Sequence, residues 1–119
     1  MMLRISLWLA VVAGAVAVAG AGNAATPKLS GVDGPGFTIT LKSGGKPVKT
    51  LKAGTYTVVV SDKSSAHNFH LFGPGVNKTT SVPFTGTQTW TVKLKAGKYT
   101  YQCDVHASVG MKGSFKVTS

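Results

Sequence analysis

From residue 37 onward, apolar and polar positions alternate in short stretches separated by turn residues, the two-residue period of half-buried strands. Phe37 to Lys42 puts Phe37, Ile39 and Leu41 on one face, and Thr55 to Ser61 is rich in β-branched residues. His67 to Phe72 reads as a further short strand, with His67, Phe69 and Leu71 on one side and Asn68 and His70 on the other. In Thr87 to Leu94 the residues Trp90, Val92 and Leu94 share a face. Tyr99, Tyr101 and Cys103 do so in Lys98 to Cys103, and Phe115 and Val117 in Gly113 to Thr118. Ser43 to Pro47, Asp62 to Ala66 and Gly73-Pro74-Gly75 are the intervening turns. Residues 26–36, with two Pro and three Gly, read as a lead-in without structure. No amphipathic helix with caps is present, so the pattern predicts an all-β chain folded as a Greek-key β-sandwich.

A seven-residue echo supports that topology. Leu51-Lys52-Ala53-Gly54-Thr55-Tyr56-Thr57 recurs as Leu94-Lys95-Ala96-Gly97-Lys98-Tyr99-Thr100 with six identities. Each copy is a Gly turn feeding a strand whose Tyr can fold back on the turn. A Greek key offers two equivalent corners for such tyrosines, so the repeat is read as structural rather than as a duplicated site.

The first residues belong to a different problem. Arg4 precedes an uncharged run from Ile5 to Ala21 that ends in small residues, the pattern of a signal peptide over 1–24 with cleavage between 21 and 25. A retained anchor is the alternative. Residues 25–119 then form a single domain, periplasmic or secreted. Composition narrows its chemistry. The 119 residues carry 13 Lys+Arg, three acids (Asp33, Asp62, Asp104) and no Glu, for a net charge of +10. Paired-carboxylate catalysis and hard-cation sites have too few oxygens to draw on. Beyond Arg4 the basic residues are all lysine and scattered, which argues against nucleic acid and for an acidic protein partner.

Candidate chemistry is concentrated near the C-terminus. Cys103, His106 and Met111 form C-x2-H-x4-M at the end of an inward-facing strand. Thiolate, imidazole and thioether together suit copper, and two His, one Cys and a weak axial Met make a blue-copper electron-transfer site. The second histidine must come from another strand. Alternation favours His67 over His70, which then faces solvent, and lets Asn68 hydrogen-bond across to the Cys103 loop. The metal ligands are therefore expected to be His67, Cys103, His106 and Met111. An unpaired thiol in an oxidising compartment makes little sense without a metal.

These residues carry a resemblance. His67-Asn68, Ala96 through Cys103 and the loop ending in Met111 resemble the plastocyanin and pseudoazurin group of cupredoxins, small blue-copper proteins, over Phe37 to Val117. The resemblance implies an eight-stranded cupredoxin sandwich, one type-1 copper at one end, and outer-sphere electron transfer through the edge of His106. The chain departs from plant plastocyanins in having Gln102 before the ligand Cys, and in the Asp104-Val105 spacer.

The resulting expectation is an exported, monomeric electron carrier with His106 as its port, framed by Val105 and Val109, and with a redox partner bearing an acidic docking surface. The alternative is a protein that buffers or delivers copper. A metal-free interaction sandwich would have no use for Cys103 or Met111. An enzyme is not expected, since one such site leaves no open position for substrate.

Overall fold

A computed structural model describes residues 25–119; the expected signal peptide over 1–24 lies outside them. Within the described residues, ten strands pack as two five-stranded sheets. The first sheet has the order β3(Lys46–Pro47), β2(Ile39–Ser43), β1(Lys28–Asp33), β5(Gly54–Asp62), β8(Gly86–Leu94). The second has the order β4(Thr50–Lys52), β10(Lys112–Thr118), β9(Gly97–Gln102), β6(His70–Gly73), β7(Val76–Thr79). β1 runs parallel to β5 and β4 parallel to β10; the other neighbours are antiparallel. The all-β sandwich expected from the alternation is therefore present, with Leu41, Val58, Val60, Trp90, Val92, Leu94, Tyr99, Phe115 and Val117 in its core.

Three details differ from the sequence reading. The lead-in is a strand: β1 pairs with both β2 and β5, burying Leu29, Gly31 and Asp33. Its inward positions give no alternating apolar pattern, because two of the three are not apolar side chains. The segment between β2 and β5 is also not a single turn. β3 pairs with β2 and β4 with β10, so this stretch crosses from one sheet to the other, and the short pieces raise the count from eight to ten. Finally, Phe37 lies outside the core, 66% exposed, because it precedes the first β1–β2 pair, Asp33 with Ile39.

Both tyrosines of the repeat close corners. Tyr56 Oη donates to Lys52 O at 2.7 Å and Tyr99 Oη to Lys95 O at 2.8 Å, each four residues back. Tyr99 Oη also accepts the Lys95 N–H at 3.0 Å, and its ring stacks on Phe115 at 5.3 Å. This fully buried ring covers Gly73 on the neighbouring strand, where an added Cβ would overlap Cδ2 and lie 2.8 Å from Cε2 and Cγ. Gly73→Ala is therefore expected to destabilise the domain by about 3 kcal/mol, overpacking against a ring with nowhere to move. Gly36→Ala, with nothing within 4 Å, should change stability by less than about 0.5 kcal/mol. Denaturant midpoints of the two variants check this, and equal midpoints would refute it.

Candidate metal centre

One end of the sandwich collects the chemistry. Cys103 follows β9, and its N–H donates to Met111 O at 3.0 Å, closing the base of the β9–β10 loop. Inside that loop, the His106 N–H donates to Cys103 O and the Met111 N–H to His106 O. A 3-10 turn over Ala107–Val109 ends at Gly110, whose φ of +99° suits a residue without Cβ. Backbone pairing thus turns His106 and Met111 back over Cys103. His67 arrives from the other direction, between β5 and β6.

His67, Cys103 and His106 present Nδ1, Sγ and Nδ1 within 4.8 Å of one another. The two Nδ1 atoms are 3.0 Å apart, and Sγ lies 3.7 Å from His67 and 3.6 Å from His106. Bonds of about 2.0 Å to nitrogen and about 2.3 Å to sulfur would put the donors of a trigonal plane roughly 3.5–3.8 Å apart. The observed triangle is close to that, and its two nitrogens and one sulfur fit one type-1 copper. His70 is not in the cluster. Met111 lies at the same end, buried, with both backbone polar groups engaged.

Asn68 locks the two ligand segments together. Its Oδ1 accepts the Asp104 N–H at 2.8 Å, and its Nδ2 donates to Asp104 Oδ2 at 3.0 Å and to Thr79 Oγ1 at 3.1 Å. The hydrogen bond expected from Asn68 to the Cys103 loop is therefore formed. His70 is not the solvent-facing residue that alternation predicts. Its Nδ1 is 2.9 Å from Asp104 Oδ1 and its Nε2 2.6 Å from Asn77 Oδ1, leaving the ring half-buried. The strand begins only at His70, and His67, Asn68 and Phe69 are all buried, so the alternation does not run through them. Partial burial pushes the Asp104 carboxyl up, but hydrogen bonds from Gln102, His70 and Asn68 outweigh it and hold the group below the usual carboxylate value.

The surroundings are apolar. Phe37, whose ring centroid is 4.5 Å from that of His106 and 5.3 Å from that of His67, lies exposed against both imidazoles. Sequence alternation assigned Phe37 to the core; no motif marked it as part of this rim. Val105 and Val109 are the other exposed large apolar residues among the described ones, and both belong to the loop carrying His106. His67 and Cys103 are sealed from solvent, whereas His106 is half-buried.

Comparison with known proteins agrees with this centre. The family model described as copper binding proteins, plastocyanin/azurin family, matches residues 36–118. Among solved structures, rusticyanin from Thiobacillus ferrooxidans is similar at 25% identity and a TM-score of 0.55, covering 76% of each chain. A reduced rusticyanin gives 24% identity and a TM-score of 0.58, over 76% of this chain and 78% of that one. Reduced auracyanin from Roseiflexus castenholzii gives 22% identity and a TM-score of 0.57, over 81% of this chain and 100% of that one. No curated protein matches. A sandwich with its His-Cys-His triangle at one end, matched over nearly all its described length, belongs to the copper-binding plastocyanin/azurin family: the chain is a cupredoxin, a blue copper protein.

Proposed function

We propose that the protein is an exported, monomeric one-electron carrier whose copper is held by His67, Cys103, His106 and Met111, and which exchanges electrons with an acidic redox partner. The unequal exposure of the donors carries this reading: His67 and Cys103 are sealed, and His106 alone reaches the surface. Bound copper supplies the change between Cu(II) and Cu(I). The chain's task is to keep one donor arrangement for both states. Asn68 ties the His67 segment to the Cys103 loop, and the Cys103–Met111 backbone bond fixes the loop's base. Met111, buried and engaged through both its N–H and its C=O, would offer its thioether sulfur to a copper held there. The His106 imidazole is the electron port, and Phe37, Val105 and Val109 keep water from its flanks while a partner docks.

Copper buffering or delivery would need donors open to an incoming chelator, and two of the three are buried here. The uncharged run from Ile5 to Ala21 supports export to a periplasmic or extracellular location. The test is to add one equivalent of Cu(II) to residues 25–119 and record visible and electron-paramagnetic-resonance spectra. The expected result is an intense blue band with narrow copper hyperfine splitting, erased by dithionite and restored by ferricyanide. Fast self-exchange with slow release of copper to a chelator identifies a carrier. A labile copper would instead point to delivery.

A further inference from the structure

Two adjoining depressions lie on the outer face of the second sheet. One, of about 440 Å3, is bordered by Lys98, Gln102, Lys112 and Phe72; the other, of about 480 Å3, continues from Lys98 to Lys49 and Lys116. Lysines thus line a continuous groove over β9 and β10. From Lys98 to Gln102 it spans five residues, about 13 Å of extended strand.

Folding alone does not account for this arrangement. Lys98 and Lys116 stand directly opposite each other in the β9–β10 register, a like-charge pair that works against the sheet. No carboxylate compensates it. Among the described residues the one ion pair is His70 with Asp104, while Asp33 and Asp62 are buried. Asp104, beside the groove's Gln102 end, is already taken up by Gln102, His70 and Asn68. That end is also where the sheet meets the metal centre, since Gln102 immediately precedes Cys103.

We infer that this groove is the docking surface for a carboxylate-rich face of the redox partner, an inference that rests on the electron-carrier reading above. Uncompensated lysines facing one concavity are complementary to such a face and steer it from a distance. A nucleic acid fits less well because arginine, which grips phosphates through two bonds at once, is absent from the described residues. A membrane surface fits less well because the exposed apolar anchors, Phe37, Val105 and Val109, gather at the copper end instead.

The probe is an acetylated, amidated peptide of four Glu-Thr repeats, titrated into isotope-labelled Cu(I) protein and followed by backbone amide shifts. Shifts should concentrate along β9 and β10, and affinity should fall at least tenfold in the Lys98→Gln/Lys116→Gln variant. The same substitutions at Lys42 and Lys93, exposed on the other sheet, should change affinity less than twofold. Removing the Lys98–Lys116 repulsion should leave the melting temperature unchanged or raised, so that weaker binding is not unfolding. Equal losses in both double variants, or shifts spread over both sheets, would overturn the inference. So would binding to phosphatidylglycerol vesicles through Lys98 and Lys116 with no binding of the peptide. The titration does not depend on electron transfer: a protein that binds the peptide through this groove but forms no blue centre refutes the carrier reading and leaves the anionic groove standing.

Discussion

Cys103→Ser should yield a protein that remains colourless with Cu(II) and binds copper far more weakly. The Cys103 sulfur is the only soft donor in the triangle, 3.7 and 3.6 Å from the two imidazole nitrogens and fully buried. The blue band is a thiolate-to-copper charge transfer, so it disappears with the sulfur. A serine hydroxyl is neutral at ordinary pH and does not replace a thiolate as a soft ligand. Loss of a supporting residue around a metal typically lowers affinity about 10–100-fold, and loss of this direct donor should exceed that. Serine also buries a hydroxyl, at roughly 1–3 kcal/mol when unpaired, so Cys103→Ala provides the control for folding. Both variants should be colourless, and the alanine protein should keep a folded metal-free domain. Intense blue colour in either variant would sink the assignment of Cys103 as the copper's thiolate.

How much of this was legible beforehand depended on what filled each position. β8, β9 and β10 were readable because their buried sites hold Val, Leu, Trp, Tyr and Phe in alternation, and β5 because it is rich in β-branched residues. β1 was not, because its inward sites include Gly31 and Asp33. At Gly31 the space is taken by the Phe69 ring, 2.7 Å from where a Cβ would sit, so the core-filling residue lies elsewhere in the sequence. β7, Val76–Thr79, was hidden for a different reason: as an edge strand it buries only Val76. The metal site was legible in its donors, since thiol, imidazole and thioether at close spacing have few other uses. Its surroundings were not. The apolar contact of Phe37 with both histidines and the hold of His70 on Asp104 are tertiary contacts that no local spacing announces.

Folding stability should fall as pH rises from about 4 to about 7, and Asp33→Asn should abolish that fall. Asp33 and Asp62 are direct neighbours in the parallel β1–β5 register, and both are buried. Two carboxylates so placed cannot both remain ionised without strong repulsion. Asp62 is the one supplied with donors, the Ser64 N–H at 3.2 Å and the Thr80 hydroxyl at 3.0 Å. Neither oxygen of Asp33 has a hydrogen-bond partner. Burial first, and then the neighbouring carboxyl of Asp62, push the Asp33 carboxyl up to about 7, so below that pH it keeps its proton. In the unfolded chain the same group titrates near 3.8. The folded state therefore binds more protons between these values, and stability is full below 3.8 and is lost as pH rises through about 7. The interval corresponds to about 4 kcal/mol. Asparagine has nearly the same shape and stays neutral at every pH. Denaturant unfolding of the metal-free wild type and variant should give nearly equal stabilities near pH 4, with the variant ahead by several kcal/mol near pH 8. The difference between the two proteins isolates Asp33 from Asp104, whose lowered carboxyl acts in the opposite direction and is shared by both. A difference that stays flat across this range would mean that Asp33 does not gain its proton on folding, and that the pair is accommodated in some way other than by protonation of Asp33.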